Sequence, residues 1–447
     1  MTCDTLAQRC AAKRRRLYGR KVAMQVVILA HRRVGNVPLA LRPVCGVPLI
    51  RRQLQVLRMF EWRQVILIVC PQDRQRIASA VGDLTSLGMQ VGYLTTPREA
   101  DLPLKACLEA TEDDLLIIEA HYVIEGALLE RLVAAGTTAL LGDEKTGGPL
   151  SEEGYAGAAF LTRSDLEKLA VDADAQSWPT DLMRLPTMKV MDVQGEALYV
   201  AEVRRHVETF WCAVTSDADA ERCKHALVIG SQKRTLDVLA WYFNRPLENW
   251  ITLRLADWPI TPNQMTVIVI LVAFVVSGLF LLGWLWPAVL LAFVVNVLDG
   301  VDGKLARAKA LATRLGQLEH SFDLLYEQSW YIAYTWAAYR LWPSLVVLVV
   351  GFVMLLFDSF ARHVSMQFRQ VMGIALADYA PFDRRFRRFD GRRNIYSIYM
   401  LLGVLVGHPF YALVAMALHA MITGIVYAMR AGLHLRWADR GIVGRRM

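Results

Sequence analysis

The chain has 447 residues, enough for two or three domains, with 55% hydrophobic residues and a mean hydropathy of +0.30. Its net charge of +8 arises from 50 Lys and Arg against 42 Asp and Glu, and the cations gather in loops, not in the patch that a nucleic-acid binder needs. Seven scattered cysteines (3, 10, 45, 70, 107, 212, 223) form no CxxC or zinc spacing, which speaks against a disulfide scaffold and for reduced cytosolic thiols.

Lys and Arg at 13–16 and 20–21 mark a basic segment, 1–21, with no apolar signal-peptide core after it. Over 22–225 apolar runs alternate with helical patterns. Strands are predicted at Val26–Ala30, Val65–Cys70, Met89–Leu94 and Leu115–Ala120, a helix at Leu49–Met59, and helical patterns over 73–86, 104–110 and 126–134. The alternation predicts a layered α/β domain on a mainly parallel sheet.

This domain opens Leu29-Ala30-His31-Arg32-Arg33-Val34-Gly35-Asn36, continues with Arg42-Pro43, then Gly46-Val47-Pro48-Leu49-Ile50. The frame resembles sugar-nucleotide nucleotidyltransferases, which read LAAGxGxR, then KP and GKPLI. The resemblance implies a Rossmann-like α/β nucleotidyltransferase fold. The chemistry has departed from it: most glycines that bring backbone N–H groups to phosphates are replaced, and the Lys of GKPLI is Val47. The metal-binding Asp of that family falls near Glu119-Ala120-His121, and Asp217 stands near a late second Asp. We expect a degenerate domain retained for docking or regulation. No GxGxxG supports a dinucleotide site.

A linker and juxtamembrane helix are expected over 226–264, with Trp250 and Trp258 suited to a headgroup layer. Six apolar segments follow, at 265–284, 286–306, 315–340, 344–367, 394–407 and 409–430, most reaching the roughly 20 residues that cross a bilayer. The predicted architecture is thus the α/β domain followed by an all-α six-helix transmembrane domain, 265–430, and a basic cytosolic tail, 431–447. The turns at 283–287, 340–343 and 407–409 carry almost no charge. The opposite side carries Arg307, Lys309, Arg314, Arg362, Arg369, Arg384, Arg385, Arg387, Arg388, Arg392 and Arg393, which places both termini in the cytosol.

Four carboxylates stand at the cytosolic ends of two of these segments. Asp299 and Asp302 are spaced i,i+3, and Glu319 and Asp323 i,i+4, so each pair shares a helix face. Carboxylates at membrane depth persist mainly where they bind ions, carry protons or pair. Four hard oxygen ligands suit Mg²⁺, Mn²⁺ or Ca²⁺.

The stretch Asp299-x-x-Asp302-Gly303-x-x-Ala306-Arg307, eight residues, then Gly316 resembles the CDP-alcohol phosphotransferase signature DxxDGxxAR…GxxxDxxxD. The second half departs by one residue. Strict spacing lands on His320 and Leu324, and a shift of one lands on Glu319 and Asp323, which alone keeps two carboxylates. Thr261-Pro262-Asn263-x-x-Thr266 is similar to that family's entry into its first span. The resemblance implies a metal-dependent transferase in which an alcohol displaces CMP from a CDP-linked donor, in phospholipid or polyol-phosphodiester synthesis. It implies Mg²⁺ or Mn²⁺ on Asp299, Asp302, Glu319 and Asp323, Asp323 as general base, and Asp302, Gly303, Ala306 and Arg307 at the CDP group. An anionic acceptor would meet Arg362, Arg392 and Arg393, for which an Asp358–Arg362 pair and membrane-side anchoring are the competing readings. His320 is expected to pack beside the site, and Tyr326 and Glu327 to line the acceptor pocket or to pack between helices. The expected partners are the donor, the acceptor, the bilayer and a second copy of the chain, with no nucleic acid.

The two domain types in this order resemble bifunctional inositol-phosphate cytidylyltransferase/di-inositol-phosphate-phosphate synthases. Three alternatives stay open. The first is a bifunctional enzyme that makes its own CDP-polyol, the second a synthase using CDP-diacylglycerol, and the third a non-catalytic membrane scaffold. In the last case the carboxylates would form a salt-bridge cluster with Lys304, Arg307 and Arg314.

Overall fold

The computed structural model describes residues 24–82, 84, 88–96, 111, 113–143, 154–172, 185–193, 198–200, 205–207, 210–232, 237–311, 313 and 315–440. The helical pattern expected at 104–110 and the expected salt-bridge partner Arg314 lie outside them. The chain separates into two compact units, one up to Ala226 and one from Leu227, apart from Arg205, which groups with the second.

The first unit is built on a seven-stranded sheet. Its strands are β1 (Met24–Leu29), β2 (Gln64–Val69), β3 (Gln90–Thr95), β4 (Asp114–Glu119), β5 (Ala139–Gly142), β6 (Tyr155–Leu161) and β7 (Lys189–Asp192), in spatial order β7-β5-β6-β4-β1-β2-β3. Pairs β4–β1, β1–β2, β2–β3 and β5–β7 are parallel, and β6 runs antiparallel to both of its neighbours. The sheet is therefore mixed, with a parallel half at the N-terminal end of the chain. Strands β1, β2 and β4 read as near-continuous apolar runs because both faces are covered. One core, including Val26, Ile28, Leu67, Leu116 and Ile118, packs under α1 (Leu49–Met59) and α3 (Gly126–Ala134), with α2 (Arg74–Val81) between them in sequence. A second core on the other face gathers Val27, Leu29, Ile117 and Ala159 with Leu166 of α4 (Arg163–Asp172). A last helix, α5, spans Asp217–Gly230. None of the described cysteines, 45, 70, 212 and 223, is in a disulfide.

The second unit is helical. An entry helix, α6 (Arg245–Leu255), precedes α7 (Pro262–Leu282), α8 (Leu285–Ala308), α9 (Glu319–Leu341), α10 (Leu345–Met372), α11 (Arg393–Leu405) and α12 (Pro409–Asp439). Local chemistry sets the ends of α7. Thr261 accepts from the Gln264 amide while the Gln264 side chain accepts from the Thr261 amide, a capping box with Pro262 in the first turn. Gly283, at φ +83°, closes the other end in the left-handed conformation that side chains resist. Four helices, α7, α8, α10 and α12, are long and apolar enough to cross a membrane. Helix α9 falls short in composition: Glu319, His320, Asp323 and Glu327 occupy its first turns, and tyrosines, tryptophans, Gln328 and Arg340 fill much of the rest. Helix α11 has 13 residues, about 20 Å at 1.5 Å per residue, and falls short in length. The last helix runs to Asp439, into the segment expected as a tail. The unit's core is aromatic, with Phe280, Tyr326, Trp330, Tyr331, Tyr334 and Tyr396 buried among alanines and valines.

Candidate metal and nucleotide site

Helix α8 carries Asp299 and Asp302 on successive turns near its C-terminal end. Asp302 is 2% exposed. Its Oδ2 accepts from Thr266 Oγ1 of α7 at 2.7 Å, and its Oδ1 from the Gly303 amide at 2.5 Å. The Thr266 of the entry motif thus holds a signature carboxylate, a contact absent from the sequence reading. Asp299 Oδ1 accepts from Tyr326 at 3.0 Å and Oδ2 from Arg393 at 2.5 Å.

On α9, ligand atoms of Glu319, His320 and Asp323 lie within 4.8 Å of one another. His320 Nδ1 is 3.5 Å from Asp323 Oδ2. The imidazole, expected only to pack beside the site, is thus a third donor of the cluster. Asp302 is close enough to feel the charges of Glu319 and Asp299, and Asp323 those of Asp299 and Arg393. The carboxylate oxygens of the set fit Mg²⁺ or Mn²⁺, whereas the imidazole is a softer donor than Mg²⁺ prefers.

Arg307 Nε donates to the Ser231 carbonyl at 2.8 Å. Its guanidinium lies over Gly303, 3.2 Å from where a Cβ would stand, so it borders the space expected for a nucleotide's approach. The three arginines expected at an acceptor all have partners. Arg362 Nε donates to Asp358 Oδ2 at 2.9 Å, and its Nη2 to Glu327. Arg393 bonds Asp299 and Tyr326 and lies 3.5 Å from Glu327 Oε1. Arg392 donates to Asp390 Oδ2 at 3.0 Å and to Tyr427 at 3.2 Å. Burial opposes charge on Asp390, but Arg387, Arg392 and Tyr427 outweigh it and hold the carboxyl below its usual range.

The signature helix is also bolted to the entry segment. Lys304, 1% exposed, meets Glu248 Oε2 at 3.0 Å and Asn249 Oδ1 at 2.5 Å, and Lys309 donates to the carbonyls of Trp258 at 2.6 Å and Ile260 at 3.0 Å. No spacing rule marks these pairs, because their members are distant in the chain.

In the first unit, the stretch that corresponds to a metal-binding carboxylate is spoken for. Glu119 ends β4 and is 1% exposed. Its Oε2 lies 3.2 Å from Arg32 Nε and 3.3 Å from His121 Nδ1. Gln53 ties the backbone there, donating to the carbonyls of Glu119 and Tyr122 at 2.7 Å each. Asp217 is exposed and pairs with Arg42 at 2.9 Å. Arg32 stands where the resembled loop has glycine, and its charge is used on Glu119.

Burial, then Arg32, then His31 push His121 down to about 3 from its ordinary 6.5, and they prevail over the attraction of Glu119. The folded unit then binds fewer protons here than the unfolded chain at any pH between about 3 and 6.5, so its stability falls as pH drops below 6.5. Amide exchange in β4, corrected for intrinsic rates, should show weaker protection at pH 5 than at pH 7.5, and His121→Gln should flatten that difference. Equal pH dependence in the variant would assign the effect to other groups.

Residues 259–426 match the family model described as CDP-alcohol phosphatidyltransferase. Among curated proteins, a bifunctional IPC transferase and DIPP synthase from Thermococcus kodakarensis is 34% identical over 107 residues, 24% of each chain. The protein of the same description from Aquifex aeolicus is 32% identical over 114 residues, 24% of this chain and 25% of its own. The match thus spans about a quarter of the length of these relatives. Among solved structures, a putative glucose-1-phosphate thymidylyltransferase from Bacillus anthracis aligns with a TM-score of 0.35 at 13% identity, covering 45% of this chain and 94% of that one. HddC from Yersinia pseudotuberculosis aligns with a TM-score of 0.34 at 15% identity, covering 44% and 96%. The family match spans α7 to α11 and much of α12, with all four signature carboxylates inside it, and it places the helical unit in the CDP-alcohol phosphatidyltransferase family.

Proposed function

We propose that the protein is a membrane transferase that moves a substituted phosphate group from a CDP-linked donor to an alcohol, releasing CMP. The observation that carries this reading is the Glu319–His320–Asp323 cluster, inside the matched segment and near enough to the signature aspartates for Glu319 to act on Asp302 and Asp299 on Asp323. Asp299, Asp302, Glu319 and Asp323 would hold one or two divalent cations, Mg²⁺ or Mn²⁺, which when bound neutralise pyrophosphate charge. Asp323 accepts the proton of the acceptor hydroxyl. The acceptor oxygen bonds to the donor's distal phosphorus as the bridging P–O bond to CMP breaks, and the electron pair leaves with CMP. Thr266 orients Asp302 and Tyr326 orients Asp299. Gly303, Ala306 and Arg307 border the CDP group, and Arg362, Arg392 and Arg393 stand on the acceptor side.

Six membrane crossings, both termini and the site in the cytosol, and a homodimer complete the reading. The Arg-rich stretch 384–393 and the nearly uncharged opposite turns support that orientation. The exposed Trp250 and Trp258 support an interfacial place for the entry segment. The first unit is read as a nucleotidyltransferase-like domain without nucleotidyl transfer, because Glu119 is engaged by Arg32 and His121. A second reading, a bifunctional enzyme that makes its own CDP-polyol, is favoured by the description of the curated relatives.

Purified full-length protein, screened across CDP-donors and alcohols, should release CMP only with Mg²⁺ or Mn²⁺. In membrane vesicles with impermeant CDP-donor, release should occur in inverted vesicles alone. No metal-dependent CMP release from any donor would reject the transferase reading. Pyrophosphate release from CTP and a polyol phosphate would replace the degenerate first unit with the bifunctional reading.

A further inference from the structure

We infer that Asp299, Arg393, Glu327, Arg362 and Asp358 form a ladder of alternating charge through which a divalent cation at the carboxylates and a phosphomonoester at Arg393 strengthen each other's binding. The inference rests on the metal reading above and adds a coupling to it. The ladder joins α8, α11, α9 and α10. Arg393 bridges Asp299 Oδ2, at 2.5 Å, and Glu327 Oε1, at 3.5 Å. Glu327 Oε2 is bonded by Arg362, which Asp358 holds at 2.9 Å. Glu327 is 5% exposed and Asp358 2%, so water screens these charges little.

Both oxygens of Asp299 are engaged, one by Tyr326 and one by Arg393. A cation on Asp299 draws on the lone pairs that Arg393 uses and repels the guanidinium directly. Arg393 keeps only the long contact to Glu327 Oε1, on a carboxylate whose charge Arg362 also draws on. Arg393 then carries under-neutralised charge at 9% exposure, the condition that favours a dianion over a neutral polyol. Binding linkage is reciprocal, so a phosphomonoester that satisfies Arg393 releases Asp299 to the metal. The phosphomonoester could sit on a soluble polyol or on a lipid headgroup.

The test is Mn²⁺ affinity, read by electron paramagnetic resonance on full-length protein in phosphatidylcholine nanodiscs and corrected for Mn²⁺–phosphate complexes in buffer. Either inorganic phosphate or phosphatidic acid added to the nanodisc should tighten Mn²⁺ binding about fivefold or more, and the arm that does so identifies the source. Arg393→Gln should bind Mn²⁺ more tightly than wild type and lose the phosphate effect. Glu327→Gln should leave Arg393 free to grip Asp299, weakening Mn²⁺ binding while keeping the effect. A phosphate effect unchanged in Arg393→Gln, or no effect in either arm for wild type, overturns the ladder alone. If Arg393→Gln fails to fold, Glu327→Gln decides, and Mn²⁺ affinity unchanged or tightened by it overturns the ladder. Wild-type Mn²⁺ binding that is absent, or equal in Asp323→Asn, brings down the metal reading and the ladder with it.

Discussion

Asp302→Asn and Asp323→Asn should each lower metal-dependent CMP release by about 10³-fold or more, with the fold retained. Both changes keep shape and remove a charge. Asp323 would lose the proton acceptor, a role that contributes about 10²–10⁴-fold by itself, and a metal ligand with it. Asp302 sits at 2% exposure with two donors aimed at it, the Thr266 hydroxyl and the Gly303 amide. An amide at that position could face one of them with its own N–H, so the variant disturbs orientation as well as charge. Thr266→Val is the graded companion. It removes one outer contact and should cost about 10–100-fold, the usual range for a residue that orients a ligand. Single-turnover CMP release at saturating Mn²⁺ separates these cases. Wild-type rates in both Asp variants would leave the carboxylates as a structural cluster and remove the basis of the catalytic reading.

Much of the scaffold was legible because it is written in local pattern. Helices Leu49–Met59 and Gly126–Ala134 have the expected bounds, and the first four sheet strands lie within two residues of theirs. Apolar runs covered on both faces leave little ambiguity about a buried parallel strand. The antiparallel β6 was not foreseen, since Tyr155–Leu161 is rich in small residues and shows no alternation. At the site, the pairs on one helix were readable from spacing alone, including Asp358 with Arg362. Contacts between distant segments were not. Thr266 meets Asp302 across 36 residues and Arg393 meets Asp299 across 94. The register of Glu319 and His320 was ambiguous for a physical reason. A 3-10 turn, Leu315–Leu318, precedes α9, and its tighter winding allows a different count of residues between Gly316 and the first ligand.

Lys304→Met should destabilise the helical unit by about 3–5 kcal/mol, because it removes one partner of a buried ion pair. Both members of the pair are screened from water, Lys304 at 1% exposure and Glu248 at 7%. Their approach depends on Gly300, since a Cβ there would stand 2.3 Å from Glu248 Cδ. Gly300→Ala should therefore cost about 1–3 kcal/mol by overpacking, and its effect should not add to that of Lys304→Met, because both act on the same carboxylate. Replacing the whole pair, Glu248→Leu with Lys304→Met, should restore most of the stability, as apolar substitutes for a buried pair commonly do. Thermal unfolding midpoints in detergent would show this order: wild type and the double variant close together, Gly300→Ala lower, Lys304→Met lowest. The pair also sets how α6 lies against α8, two residues beyond Asp302 in sequence. A double variant that regains stability but not CMP release would mean that the charges position the signature helix for the reaction. One that regains both would confine the pair to packing. Lys304→Met as stable as wild type would show that the other contacts of Glu248 hold it equally well, and the clamp would carry no weight.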